Sequence, residues 1–127
     1  MNEKYYIKEK GSLTVKFNAP LVKHALYFTV VEGKAFFLNC KDMTEFHWVT
    51  PLMTAYSKQM RAGVTIDAII EDMKGTFDPK GGYMVKDIKV NSIVHHLGLI
   101  LENSNAAIKR TLTNELEVTE AKLTKRD

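Results

Sequence analysis

Three groups of residues carry the chemistry this chain has to offer. Lys80, Gly81 and Gly82, with Asp78 and Pro79 before them and Tyr83 after, put a cation and consecutive glycine-permissive amides into one turn. Such a turn forms a concavity for a phosphate or another anion. It is not a P-loop, because no Gly-x-x-x-x-Gly-Lys-Ser/Thr run leads into a helix. Lys58 and Arg61, near the expected end of a helix, either favour that helix's dipole or join Lys80 in an anion pocket. The competing reading makes Phe77 to Tyr83 a chain reversal alone, and Asp78 orders the loop in both cases.

The second group is the histidines. His95 and His96 are adjacent, so on a helix their side chains point about 100° apart and cannot hold one ion as an i, i+4 pair does. With His24 and His47 far off in sequence, no metal site is expected, and one of the adjacent rings should lie at the surface with the other half-buried. Cys40 has no arrangement near it that marks a nucleophile, and reads as a small residue at a strand end. Neither a catalytic residue nor a cofactor is expected. The third group is Phe46, His47 and Trp48, which fall off the apolar stripe of the helix that follows. Exposed aromatics on one helix side mark an interface for self-association or a partner. An irregular first turn would instead fold both rings into the core.

The elements that must position these groups follow from periodicity. Leu13, Val15 and Phe17 alternate with Thr14 and Lys16, so residues 4 to 18 read as one or two strands broken at Gly11. Residues 23 to 32 are β-branched and aromatic; Gly33-Lys34 makes a tight turn, and Ala35 to Cys40 returns as a second strand. Val49, Leu52, Met53, Tyr56 and Met60 then fall on one face of a helix. Either the regular helix starts near Thr50 with Pro51 at its first position, or a longer one is kinked there; a helix from about Thr44 with an irregular first turn is expected, with Asp42 or Thr44 as cap and Gly63 as stop. A short helix from Ile66 to about Lys74 has Thr65 as cap and Asp67 and Lys74 placed for its dipole. Met84 to Val90 is a small strand or irregular. A third helix starts near Asn91 or Ser92 and buries Ile93, Leu97, Ile100 and Leu101. The architecture is α+β, an antiparallel sheet of hairpins followed by two to three helices.

At 127 residues and 45% hydrophobic content the chain fits one soluble domain with a single core. A net charge of +3, spread along the chain, argues against nucleic acid as a partner, because a nucleic-acid footprint is a dense basic stripe. One cysteine forms no internal disulfide, and no stretch has the length of a signal peptide or membrane span. A cytoplasmic protein without membrane contact is the expectation. Residues 111–127 are a polar tail, either frayed or disordered or a helical extension, with Leu112, Leu116 and Leu123 spaced as a thin seam for a homo-oligomer.

Leu38-Asn39-Cys40-Lys41-Asp42-Met43 follows the hairpin. A long helix then ends in Arg61-Ala62-Gly63-Val64, and an isoleucine-rich helix leads to Phe77-Asp78-Pro79-Lys80-Gly81-Gly82-Tyr83. This order resembles the TSCPD domain, the small domain near the C-terminus of adenosylcobalamin-dependent ribonucleotide reductases. The likeness runs from 23 to 101, about two thirds of the chain, and implies one TSCPD-like domain over 1–110. The motif that names the domain is absent, with Val90-Asn91-Ser92-Ile93-Val94 in its place, and so are the downstream cysteines of a metal or disulfide-exchange tail. What the resemblance implies is a non-catalytic accessory or regulatory module, with a reductase subunit, another protein or a nucleotide as partner. Relatives of the domain occur in phages. The alternative is accordingly a small, phage-encoded binding protein that captures a nucleotide or signalling molecule or blocks a partner protein.

Overall fold

The computed structural model describes residues 4–9, 11–20 and 22–113. Strands β1 (Lys4–Glu9), β2 (Ser12–Phe17), β3 (Leu26–Val31) and β4 (Ala35–Cys40) form one antiparallel sheet in that order. Alternation along the strands sorts the side chains. Leu13, Val30 and Phe36 lie across from one another on the inner face, then Val15, Phe28 and Leu38, then Phe17, Leu26 and Cys40. All but Cys40 are buried. The outer face carries Thr14, Thr29 and Phe37 in one row and Lys16, Tyr27 and Asn39 in the next. The β3–β4 turn closes with Lys34 N–H donating to the Val31 carbonyl at 2.9 Å.

After β4, the Asp42 carboxylate accepts from Thr44 N–H at 3.0 Å and starts a 3-10 turn, Thr44–Phe46. Helix α1 (Val49–Arg61) follows as a separate element. Pro51 is its third residue, where the backbone N–H would have no intrahelical partner in any case, so the proline does not break the helix. At the other end Gly63 N–H bonds to Met60 O and Val64 N–H to Gln59 O, the paired bonds of a Schellman stop. Helix α2 (Ile66–Lys74) is capped by Thr65, whose hydroxyl accepts from Ala68 N–H at 3.2 Å.

The stretch after the loop, expected as a small strand or irregular, folds as a hairpin of its own, β5 (Tyr83–Val85) and β6 (Ile88–Val90), separate from the main sheet. Helix α3 (Ile93–Thr113) runs past residue 110. Ser92 caps it by accepting from His95 N–H, while donating to the Thr76 carbonyl at 2.6 Å, which ties the helix start to the loop after α2. The inner sheet face and the buried faces of all three helices share one core. Of the tail, residues 114–127 lie outside the described residues, Leu116 and Leu123 of the leucine seam among them.

Candidate functional site

Helix α1 lies alongside β4, at the edge of the sheet. Between them runs a groove of about 490 Å³, lined on one side by Ala35 to Asn39 of β4 and on the other by Thr50, Met53, Thr54, Ser57 and Arg61. The helix residues form one stripe at helical spacing, so groove and helix run the same length. Phe36 N–H turns away from β3 and donates to Ser57 Oγ at 2.9 Å; Ser57 in turn donates to Met53 O at 2.7 Å. The buried serine thus joins the sheet edge to the helix. Phe37, 49% exposed, stands on the outer rim. At the turn end Arg61 Nη1 donates to Lys34 O at 2.8 Å, fixing a guanidinium with further donors at the groove mouth. At the far end Asp42 sits beside Met43, held below the usual carboxylate range by hydrogen bonds from the Thr44 side chain and amide.

Arg61 is therefore part of a formed groove, but the expected anion pocket with Lys80 is not what the structure builds. Lys80 faces Glu45 across 4.0 Å, a highly exposed pair of little energetic weight. Lys58 is exposed on α1. Of the two readings of the loop from Phe77 to Tyr83, anion concavity or chain reversal, the hydrogen bonds favour the chain reversal. Lys80 N–H donates to Asp78 Oδ1 at 2.9 Å and Gly81 N–H to Asp78 O at 2.8 Å, so two amides that would hold an anion are already committed. Asp78 N–H bonds to Asn91 O at 3.0 Å, and a Cβ on Gly82 would lie 1.8 Å from Val90 O. The second glycine is there because the backbone of β6 passes against it. Asp78 orders the loop, as expected.

The aromatic patch is also corrected. Phe46 is buried in the core and Trp48 packs against it, leaving His47 as the exposed member of the three. The 3-10 turn rotates both rings inward. The adjacent histidines divide more sharply than expected. His96 is 2% exposed, its Nδ1 2.8 Å from Tyr83 Oη and its ring edge-on to Phe17, with Nε2 buried and unpartnered among the described residues. Burial, and then the neighbouring His95, push its pKa down to about 4; burial pushes the Tyr83 phenol up. Both are neutral at pH 7. His95 accepts from Asn91 N–H at 3.0 Å, and burial followed by Lys74 lowers its pKa. Among the described residues no group of three or more His, Cys, Asp or Glu is placed to hold a metal. Cys40 ends β4 with its thiol 3.9 Å from His24 O.

Sequence reasoning missed Phe37, Leu38 and Ser57 as groove residues. One sign of them was present: Ala-Phe-Phe-Leu-Asn-Cys is a strand with no charge and no proline, so its edge has to be covered by another element, here α1. Among the described residues no helix is long and apolar enough to cross a membrane. Comparison with protein families, curated proteins and solved structures finds no match to this chain.

Proposed function

We propose that this chain is a non-catalytic accessory module that regulates a ribonucleotide reductase by protein contact. The resemblance of residues 23 to 101 supplies the pathway, and the groove between β4 and α1 is the observation that carries the mode of action. It offers an apolar floor, the exposed Phe37 on its rim and a fixed guanidinium, which suit a polypeptide and require no catalytic group. Nucleotide capture is the weaker half of the reading, because the loop amides suited to a phosphate are committed to Asp78.

The test is surface plasmon resonance of the full chain against an adenosylcobalamin-dependent reductase from its own host, with reductase turnover measured in parallel. Saturable binding with altered turnover is the expected result. No binding and unchanged turnover would sink the reductase reading and leave a module for another protein. A thermal-shift panel of nucleotides and cyclic nucleotides should be flat. A ligand at roughly 100 times its dissociation constant would add about 2.7 kcal/mol, and such a shift would move the function to nucleotide capture.

A further inference from the structure

We propose that the cleft between the β5–β6 hairpin and α3 binds a small uncharged molecule, one ring or branched alkyl group whose hydrogen-bond acceptor meets His96 Nε2. The cleft shares no residue with the groove on α1, so the site goes beyond the regulatory reading and does not rest on it.

Two regular elements build the cleft. Pairing of Tyr83 with Val90 and of Val85 with Ile88 puts these four side chains on one face of the hairpin, with Met84 and Lys89 on the other. His96, Leu99, Ile100 and Asn103 fall at i, i+3, i+4 and i+7, one stripe of α3. Val90 is fully buried and Tyr83 packs against the core, yet Ile88, on the same face, is 53% exposed. The space left beside it is about 160 Å³, walled by Val85, Ile88, Leu99 and Ile100.

The polar end of the cleft is His96, which lines it while only 2% exposed. Phe17 lies edge-on to the ring and Tyr83 Oη takes Nδ1 at 2.8 Å, so the edge left for the cleft carries Nε2, buried and without a partner among the described residues. Counting partners fixes where the proton sits. If the Tyr83 hydroxyl donates to Nδ1, the neutral ring has its proton on Nε2, and one donor is unmet. If Nδ1 donates instead, both Nε2 and the hydroxyl proton go without a partner among the described residues. The first arrangement leaves less unmet, so the cleft presents an N–H donor, and a buried donor favours an occupant that accepts from it.

The walls select among acceptors. A buried water is held by about two to four polar partners, whereas Nε2 is the buried polar group here; Lys86 and Asn103 are exposed, at the mouth. A carboxylate would lose its hydration against aliphatic walls with no buried cation to offset the loss, because burial keeps His96 neutral. An uncharged acceptor on an apolar body satisfies the donor and covers Ile88. At the packing density of protein interiors, about 0.74, the cleft holds roughly 120 Å³ of ligand, the size of one ring with a small substituent.

The test titrates the full chain, followed in 15N–1H spectra, with three probes. They are acetophenone, isopropenylbenzene, in which a CH2 replaces the carbonyl oxygen, and benzoate. Acetophenone should shift the Val85, Ile88, Leu99 and Ile100 amides, and the other two should bind about tenfold more weakly. Long-range 15N–1H spectra should show the His96 proton on Nε2 and a change there on binding. In His96→Leu, with its fold checked by circular dichroism, the preference for acetophenone over isopropenylbenzene should fall to about one. Ile88→Trp, a change at an exposed residue that fills the cleft, should remove acetophenone binding and leave the His96 proton on Nε2. No shift with millimolar acetophenone, equal binding of isopropenylbenzene, tighter binding of benzoate, or a proton on Nδ1 overturns the proposal. So does acetophenone binding that survives Ile88→Trp, or an ordered water at Nε2 that acetophenone does not displace.

Discussion

At the scale of single residues, His96 and Gly82 show how much of the local design is closeness of packing. His96 is held neutral by burial between Phe17 and Tyr83, its pKa falling from 6.5 to about 4. The unfolded chain therefore takes up the proton first as the pH falls. The contribution to stability is fully present above pH 6.5 and is lost as the pH drops from there through 4, amounting to about 3 kcal/mol. His95, also depressed, adds a change of the same sign. Urea unfolding at steps from pH 7 to pH 4 should show this loss, and His96→Leu should flatten the slope. An equal slope in that variant would mean the proton is taken up elsewhere. Gly82 and Gly81 make a second contrast. A Cβ on Gly82 would sit 1.8 Å from Val90 O, whereas a Cβ on Gly81, at φ 93°, would have nothing within 4 Å of it. Gly82→Ala should cost about 3 kcal/mol and Gly81→Ala about 1 kcal/mol in denaturant unfolding. Equal losses would remove the close approach as the reason for the glycine pair.

At the scale of elements, helix α3 crosses α2 at Gly98. An added Cβ there meets Met73 Cβ at 2.9 Å, Lys74 Cγ at 3.2 Å and Lys74 N at 3.3 Å. Part of α2's contact is backbone, which cannot swing aside, so Gly98→Leu must push the helices apart. We expect a loss of about 2 kcal/mol, measured by chemical unfolding, with helix content unchanged. A loss below about 0.5 kcal/mol would show that Met73 and Lys74 yield freely. The helices and strands themselves were legible because each has a period and a stop: the sheet alternation from Leu13 to Phe17, the stripe from Val49 to Met60, Thr65 before α2 and Ser92 before α3. What was not legible depended on a partner remote in the chain. Nothing local to Ser57 says that it will accept from Phe36, twenty-one residues away. The inward rotation of Phe46 and Trp48 follows from a 3-10 turn that helical spacing does not describe. The loop at Asp78 had the right residues for either role, and only the bonds to Lys80 and Gly81 decide between them.

At the scale of the whole molecule, the continuity of the core decides how the groove can work. The sheet's inner face meets α1 through β4, α3 packs on α2, and His96 on α3 touches Phe17 on β2, so among the described residues no apolar boundary separates two bodies. A groove built on such a core does not depend on domain closure for its shape. The same continuity requires the sheet and the helices to unfold together. The chain's one tryptophan, Trp48, reports from the junction of the sheet with α1, because it packs against the shared core just before that helix. Far-ultraviolet circular dichroism reports the strands and helices as a whole. Followed by both in urea, the chain should give one transition with the same midpoint. Separate midpoints would mean that α2, α3 and the β5–β6 hairpin form a second cooperative unit, and the groove would then belong to the sheet and α1 alone.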